Sequence, residues 1–102
     1  MNPKHLDAMV LKICGKYNYP LPKSLTLNRR FKTTLGKCTD DGRIELNEWI
    51  VLHNNKSVVE ALLKHEIVHL RHFNHSKEFI QAVKIIGSAK YIEDLFPNMI
   101  KR

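Results

Sequence analysis

Long apolar runs are missing from this chain. None approaches the roughly 18 residues that a membrane-spanning helix needs, so no membrane function is expected. The first residues, Met1-Asn2-Pro3-Lys4-His5-Leu6-Asp7, lack the apolar segment of a signal peptide, which points to the cytoplasm. Cysteine is scarce: Cys14 and Cys38 are too few and too isolated for a zinc ribbon or a disulfide framework. Both read as small buried thiols, Cys14 on the apolar face of a helix and Cys38 in a strand. Acidic side chains are outnumbered, 10 against 17 basic, for a net charge of +7. That balance suits a polyanion partner such as DNA, and it is equally common in proteins that bind nothing acidic. Repeats, low-complexity tracts and linkers are absent.

What remains is an ordinary globular composition, 43% apolar and 26% charged, enough for one domain over residues 1–102. Asn2-Pro3 is a helix-start signal. Leu6, Val10, Ile13, Cys14 and Tyr17 then recur at helical spacing, predicting a helix over about 3–16. Pro20 and Pro22 prevent its continuation. Ser24-Leu25-Thr26-Leu27-Asn28 alternates like a half-buried strand. Residues 33–39 form a second expected strand, and Asp41-Gly42 turns the chain into a third, Arg43-Ile44-Glu45-Leu46. Asn47 caps a short helix through Leu52, in which Trp49 reads as a core anchor. Phe79, Ala82, Val83 and Ile86 mark a later helix stopped at Gly87, and Tyr91, Ile92, Leu95 and Phe96 a short last one. The fold class expected is α+β, with a small antiparallel sheet of about three strands.

The chemistry lies in His65-Glu66-Ile67-Val68-His69, a His-Glu-x-x-His motif. On a helix, residues four apart stand one turn above each other, so His65 and His69 present two imidazoles to one point. Glu66 sits about 100° round the helix, placed to hydrogen-bond a metal-bound water rather than to chelate. Ser57-x-x-Glu60 reads as a capping box that opens this helix. Val59, Leu63, Ile67 and Leu70 form its apolar stripe, and Glu60, Lys64 and Arg71 a polar one. The histidines share a third face with Val58, Ala61 and Leu62. A buried face holding two histidines needs a partner for them, and a metal supplies it.

A hydrolytic zinc takes three protein ligands and keeps one position open. His72 and His75 compete for the third place. His72 shares the histidine face but begins about 7.5 Å too far along the axis if the helix continues. His75 reaches the metal if the chain turns back, and Asn74 and Ser76 supply C-cap and N-cap chemistry for such a turn. The His69-to-His75 spacing equals that of the extended metzincin motif, but His72 replaces its glycine and no Met-turn follows. The reading favours His75, with His72 beside the site or on the surface.

Taken together, these pieces resemble an SprT-like zinc metallopeptidase domain, related to the Spartan and WLM peptidases, over Leu25 to about Ile86. The resemblance rests on Thr34-Leu35-Gly36-Lys37-Cys38, on Gly42-Arg43-Ile44-Glu45-Leu46-Asn47, on Leu62 to His69, and on Asn74-His75-Ser76-Lys77-Glu78-Phe79. Bacterial relatives of the YgjP type closely match the His69-to-Phe79 run. The resemblance implies a zincin-like fold, His65, His69 and His75 as zinc ligands, and Glu66 as the catalytic residue. The cysteine-rich ribbon that often follows this domain is lacking, making this a short form.

The function expected is therefore a zinc-dependent endopeptidase, with one zinc per chain and protein or peptide substrates. Glu66 activates the zinc-bound water, and an exposed hairpin edge can hold substrate by β-addition. Tyr91, His72 and Tyr19 are candidates for steadying the oxyanion. Arg29, Arg30, Lys32, Lys37 and Arg43 gather around the strands as candidate contacts for weak DNA binding, without an accompanying aromatic pattern. His5 and His53 have no partners at ligand spacing. The alternatives are a non-enzymatic DNA-associated or regulatory module with structural zinc, which has no need of Glu66, and a metal-free histidine core.

Overall fold

The structure is a computed structural model that describes residues 2–74 and 76–87. His75 and the apolar residues from Tyr91 to Phe96 lie outside the described residues. A short 3-10 turn, Pro3–His5, leads into helix α1, Leu6–Tyr17. Its buried residues Leu6, Met9, Val10, Ile13 and Cys14 follow the helical spacing of the sequence. Asn18 ends it in the left-handed region at φ 58°, which asparagine tolerates better than most residues. The Cys14 thiol donates to Pro20 O at 3.5 Å, and burial pushes its pKa up.

Three strands follow: β1, Ser24–Asn28; β2, Gly36–Cys38; and β3, Arg43–Asn47. The sheet is mixed rather than antiparallel, in the order β1-β3-β2. β2 and β3 form the antiparallel hairpin that Asp41-Gly42 requires, with Gly42 at φ 92°. β1 runs parallel to β3, pairing Ser24 with Arg43 and Asn28 with Asn47. The cause is the 29–35 connection. It sets β1 and β2 two strand spacings apart, about 9.6 Å, and β3 returns up the gap between them.

The same connection shortens the second strand to Gly36–Cys38. Asn28 Oδ1 accepts from Arg30 N–H at 2.8 Å and turns the chain. Asn47 Nδ2 then donates to Phe31 O and Thr34 O, at 3.3 and 3.0 Å, holding residues 31–34 as a loop. Asn47 Oδ1 also accepts from Ile50 N–H at 3.2 Å, capping helix α2, Glu48–His53. That cap sets the helix phase so that Ile50 and Val51 face the core. Trp49, expected as a core anchor, is instead 61% exposed and stacks on His53 with ring centroids 4.4 Å apart.

Helix α3, Lys56–Val68, is the centre of the domain, touching α1, β2, β3 and the final described helix α4, Lys77–Ile86. It starts earlier than the expected capping box. Asn55 Oδ1 accepts from Val58 N–H at 3.1 Å, so Asn55 is the N-cap and Ser57 lies in the first turn. Glu60, released from capping, pairs with Lys64 at 3.5 Å. Nine α3 residues are buried, among them Val59, Leu63 and Ile67. Ile44 and Leu46 of β3 face this helix from the sheet side of the core. No helix among the described residues is long and apolar enough to cross a membrane.

Candidate active site and metal centre

His65 and Glu66 lie in the last turn of α3, and His69 immediately follows it as the C-cap. The helix tightens as it ends. His69 N–H bonds Glu66 O at 3.1 Å, Leu70 N–H bonds Ile67 O at 3.0 Å and Arg71 N–H bonds Val68 O at 3.1 Å, a 3-10 pattern. His65 and His69 still meet, with ring centroids 5.2 Å apart and planes at 75°. They are 7% and 5% exposed, and Glu66 beside them is 0% exposed.

The turn after α3 brings the His72 carbonyl back to His69 Nδ1, at 3.0 Å. A carbonyl only accepts, so Nδ1 carries the hydrogen, and the lone pair of the neutral ring is on Nε2. That is the arrangement of a metal-ligating histidine, whose second nitrogen is oriented by a carbonyl or carboxylate. His72, expected beside the site or on the surface, therefore acts here through its backbone.

Phe79 covers both imidazoles. Its ring stacks on His69 at 4.4 Å and 25°, and meets His65 edge-on at 5.2 Å and 79°. Ser76 places it, because Ser76 Oγ accepts from Phe79 N–H at 3.3 Å and starts α4. Sequence periodicity assigned Phe79 to an apolar helix face without indicating this contact. Its signal was the cap spacing Ser76-x-x-Phe79. Gly36 is a second residue whose role the sequence left unstated. A Cβ there would lie 3.1 Å from Glu66 Cγ and Cδ and 3.1 Å from Glu45 O. Glycine thus lets strand β2 run directly over the Glu66 carboxyl group.

The donor set suits a borderline-soft divalent ion: two imidazoles, one already oriented, next to a buried carboxyl group. Among the described residues no group of three His, Cys, Asp or Glu side chains gathers as a metal site, and His75 lies outside them. Tyr19, an oxyanion candidate, has its ring beneath the Arg71 guanidinium at 4.5 Å. Tyr91 lies outside the described residues. His53 Nδ1 is bonded to Trp49 O at 2.8 Å.

The basic residues do not form one patch. Arg29, Arg30 and Lys32 are exposed in the turn and loop beyond the Asn28 end of the sheet. Arg43 is at the opposite end of β3, roughly 13 Å away along the strand, and pairs with Asp41 at 3.1 Å. Lys37 lies between, opposite Glu45.

An α+β domain with a His-Glu-x-x-His helix beneath a small mixed sheet defines a metallopeptidase. The sequence model of the YgjP-like metallopeptidase domain matches residues 4–89, and the chain belongs to that family. The fold is shared with the crystal structure of the metallopeptidase zymogen of Pyrococcus abyssi abylysin. TM-score is 0.75 and identity 22%, over 95% of this chain and 96% of that one. A search of curated proteins finds no match. Family membership sets aside both the non-enzymatic module and the metal-free histidine core.

Proposed function

We propose that the protein is a zinc-dependent endopeptidase holding one zinc through His65, His69 and His75, with Glu66 as its proton carrier. The observation that carries this reading is the buried His65–His69 pair, oriented by His72 O and covered by Phe79, with Glu66 enclosed beside it. When bound, zinc lowers the pKa of a coordinated water and polarises the scissile carbonyl. Glu66 accepts the proton of the attacking water and returns it to the leaving amine. Gly36 and the surrounding apolar side chains keep bulk water from that carboxylate.

The strand proposed to receive substrate is β2, at the edge of the sheet among the described residues. Asn47 N–H bonds Leu35 O and Thr39 N–H bonds Arg43 O, both at 2.8 Å, so residues 35, 37 and 39 direct their backbone groups to β3. Gly36 and Cys38 then direct theirs away from β3, and Gly36 is the residue against Glu66. An extended peptide added along this edge would bring its carbonyl row past the carboxylate without needing a deep cleft. Substrates are accordingly unstructured protein segments.

DNA association is a separable part of the reading, placed with cytoplasmic residence. The support for it is the +7 charge and the exposed Arg29, Arg30 and Lys32, on a loop pinned by the same Asn47 that caps the helix carrying exposed Trp49. Weak attachment there would raise the local concentration of DNA-bound substrates, an effect that fades with salt. Arg29→Glu/Arg30→Glu should abolish any DNA stimulation of cleavage; equal stimulation in that variant would remove DNA from the account.

Metal analysis tests the core of the proposal. The expected result is about one zinc per chain, with cleavage of an unfolded protein lost on chelation and restored by zinc. Full cleavage after verified metal removal would contradict it.

A further inference from the structure

The turn that ends the metal helix is tied to a distant part of the chain by one side chain. Arg71 donates through Nη2 to Asn18 O, and its guanidinium lies over the Tyr19 ring, 4.5 Å from the centroid. Both partners belong to the turn that closes α1, and that turn is itself well fixed. Asn18 is held in the left-handed conformation, Tyr19 N–H bonds Cys14 O at 2.9 Å, and the Cys14 thiol reaches Pro20 O. At the other end, Arg71 N–H bonds Val68 O, and the next residue, His72, provides the carbonyl that orients the His69 ring.

We infer that Arg71 is a positioning residue for the metal ligand His69, fastening the 69–72 turn to the end of α1. The inference rests on the zinc reading above and assigns Arg71 a part in it. The physical reason is the weakness of the turn without such a tie. α3 has ended, the 3-10 bonds of residues 69–71 are of poorer geometry than α-helical ones, one α-type bond follows from His72 N–H to Val68 O at 3.0 Å, and the turn leaves the core toward solvent. The Asn18 carbonyl and the Tyr19 face hold a planar cation in two ways at once, by a charge-assisted hydrogen bond and by cation–π attraction. Fixing Arg71 limits the swing of the His72 carbonyl, and with it the rotation of the imidazole that the carbonyl orients. A ligand ring held in place before the metal arrives loses less freedom on binding, so affinity rises. Lysine cannot replace this fork with equal effect, since its ammonium is a point charge on a flexible stem.

The comparison that separates positioning from general support is Lys64. It lies over the Tyr17 ring at 5.8 Å and pairs with Glu60, on the same α1–α3 interface, without reaching the turn. Zinc affinity is measured by chelator competition, and cobalt(II) substitution gives the visible d–d spectrum, for the wild type and for Arg71→Ala, Arg71→Lys, Tyr19→Leu and Lys64→Ala. The melting temperature of each metal-free protein is recorded alongside. Arg71→Ala should weaken zinc binding on the order of 10-fold and broaden the cobalt spectrum. Arg71→Lys and Tyr19→Leu should lose a few-fold by the same measure, and Lys64→Ala should match the wild type in affinity even where its melting temperature falls. If Arg71→Ala does not fold, Arg71→Lys and Tyr19→Leu decide. Wild-type zinc affinity in every foldable Arg71 and Tyr19 variant overturns the inference. A wild type that binds no zinc overturns the zinc reading itself and this assignment with it.

Discussion

The Phe79 ring lies against the His69 imidazole with centroids 4.4 Å apart and planes inclined by 25°. This stack joins α4 to the end of α3, so the packing of the core and the orientation of His69, the proposed ligand, are one interaction. Replacing Phe79 by Leu keeps an apolar group of similar reach and should cost no more than about 1.5 kcal/mol of stability. It also removes the flat face, so zinc affinity should fall by more than the stability loss accounts for. Denaturant unfolding with and without zinc checks this. Equal zinc affinity in Phe79→Leu would reduce the ring to a filler of space.

A methyl group at Gly36 would lie 3.1 Å from Glu66 Cγ and Cδ and from Glu45 O, tighter than an ordinary contact. Gly36→Ala should therefore displace β2 or the carboxylate, at a cost of about 1–3 kcal/mol. Zinc content should persist, because neither imidazole is touched, while kcat falls. Retained kcat in a fully folded Gly36→Ala protein would show that β2 does not set the position of Glu66.

The third ligand separates two neighbouring histidines. His75→Ala should lose the metal, whereas His72→Ala should largely keep it, because His72 serves His69 through its backbone carbonyl. Metal analysis of the two purified variants is the check. Zinc lost from His72→Ala and kept by His75→Ala would reverse the assignment.

Tyr19 supplies a pH signature for the Arg71 clasp. Burial raises its phenol above the ordinary tyrosine value, and the Arg71 charge pulls it part of the way back. The folded pKa is raised, so this contribution to stability is present below the unfolded tyrosine pKa and is lost as pH rises through the folded one. Arg71→Ala should move the phenol further up, read from absorbance near 295 nm across an alkaline titration. A phenol that moves down in that variant would contradict the contact.

Local signals in the sequence carried far. The alternation of Ser24–Asn28, the Asp41-Gly42 turn, the Asn47 cap and the four-residue spacing of His65 and His69 all concern near neighbours, and each has its expected structural counterpart. What depended on distant parts of the chain was not legible. The parallel pairing of β1 with β3 follows from the path of the 29–35 connection, which no pattern within a strand encodes. Trp49 looked like core because it is large and apolar, yet a cap fixed two residues earlier turned it outward. The basic residues are close in sequence, but the sheet places Arg43 at the far end from Arg29 and Arg30. At the site, the motif was plain, while Phe79 over both rings and Gly36 of β2 against Glu66 required the packed structure.

The most direct test of the central claim is hydrolysis of an unfolded casein-like protein by wild type and Glu66→Gln at matched zinc content. Glutamine fills the same buried space but cannot accept the proton. The account predicts unchanged zinc binding and a rate lower by roughly 100-fold or more. Equal cleavage by the two zinc-loaded proteins would contradict it.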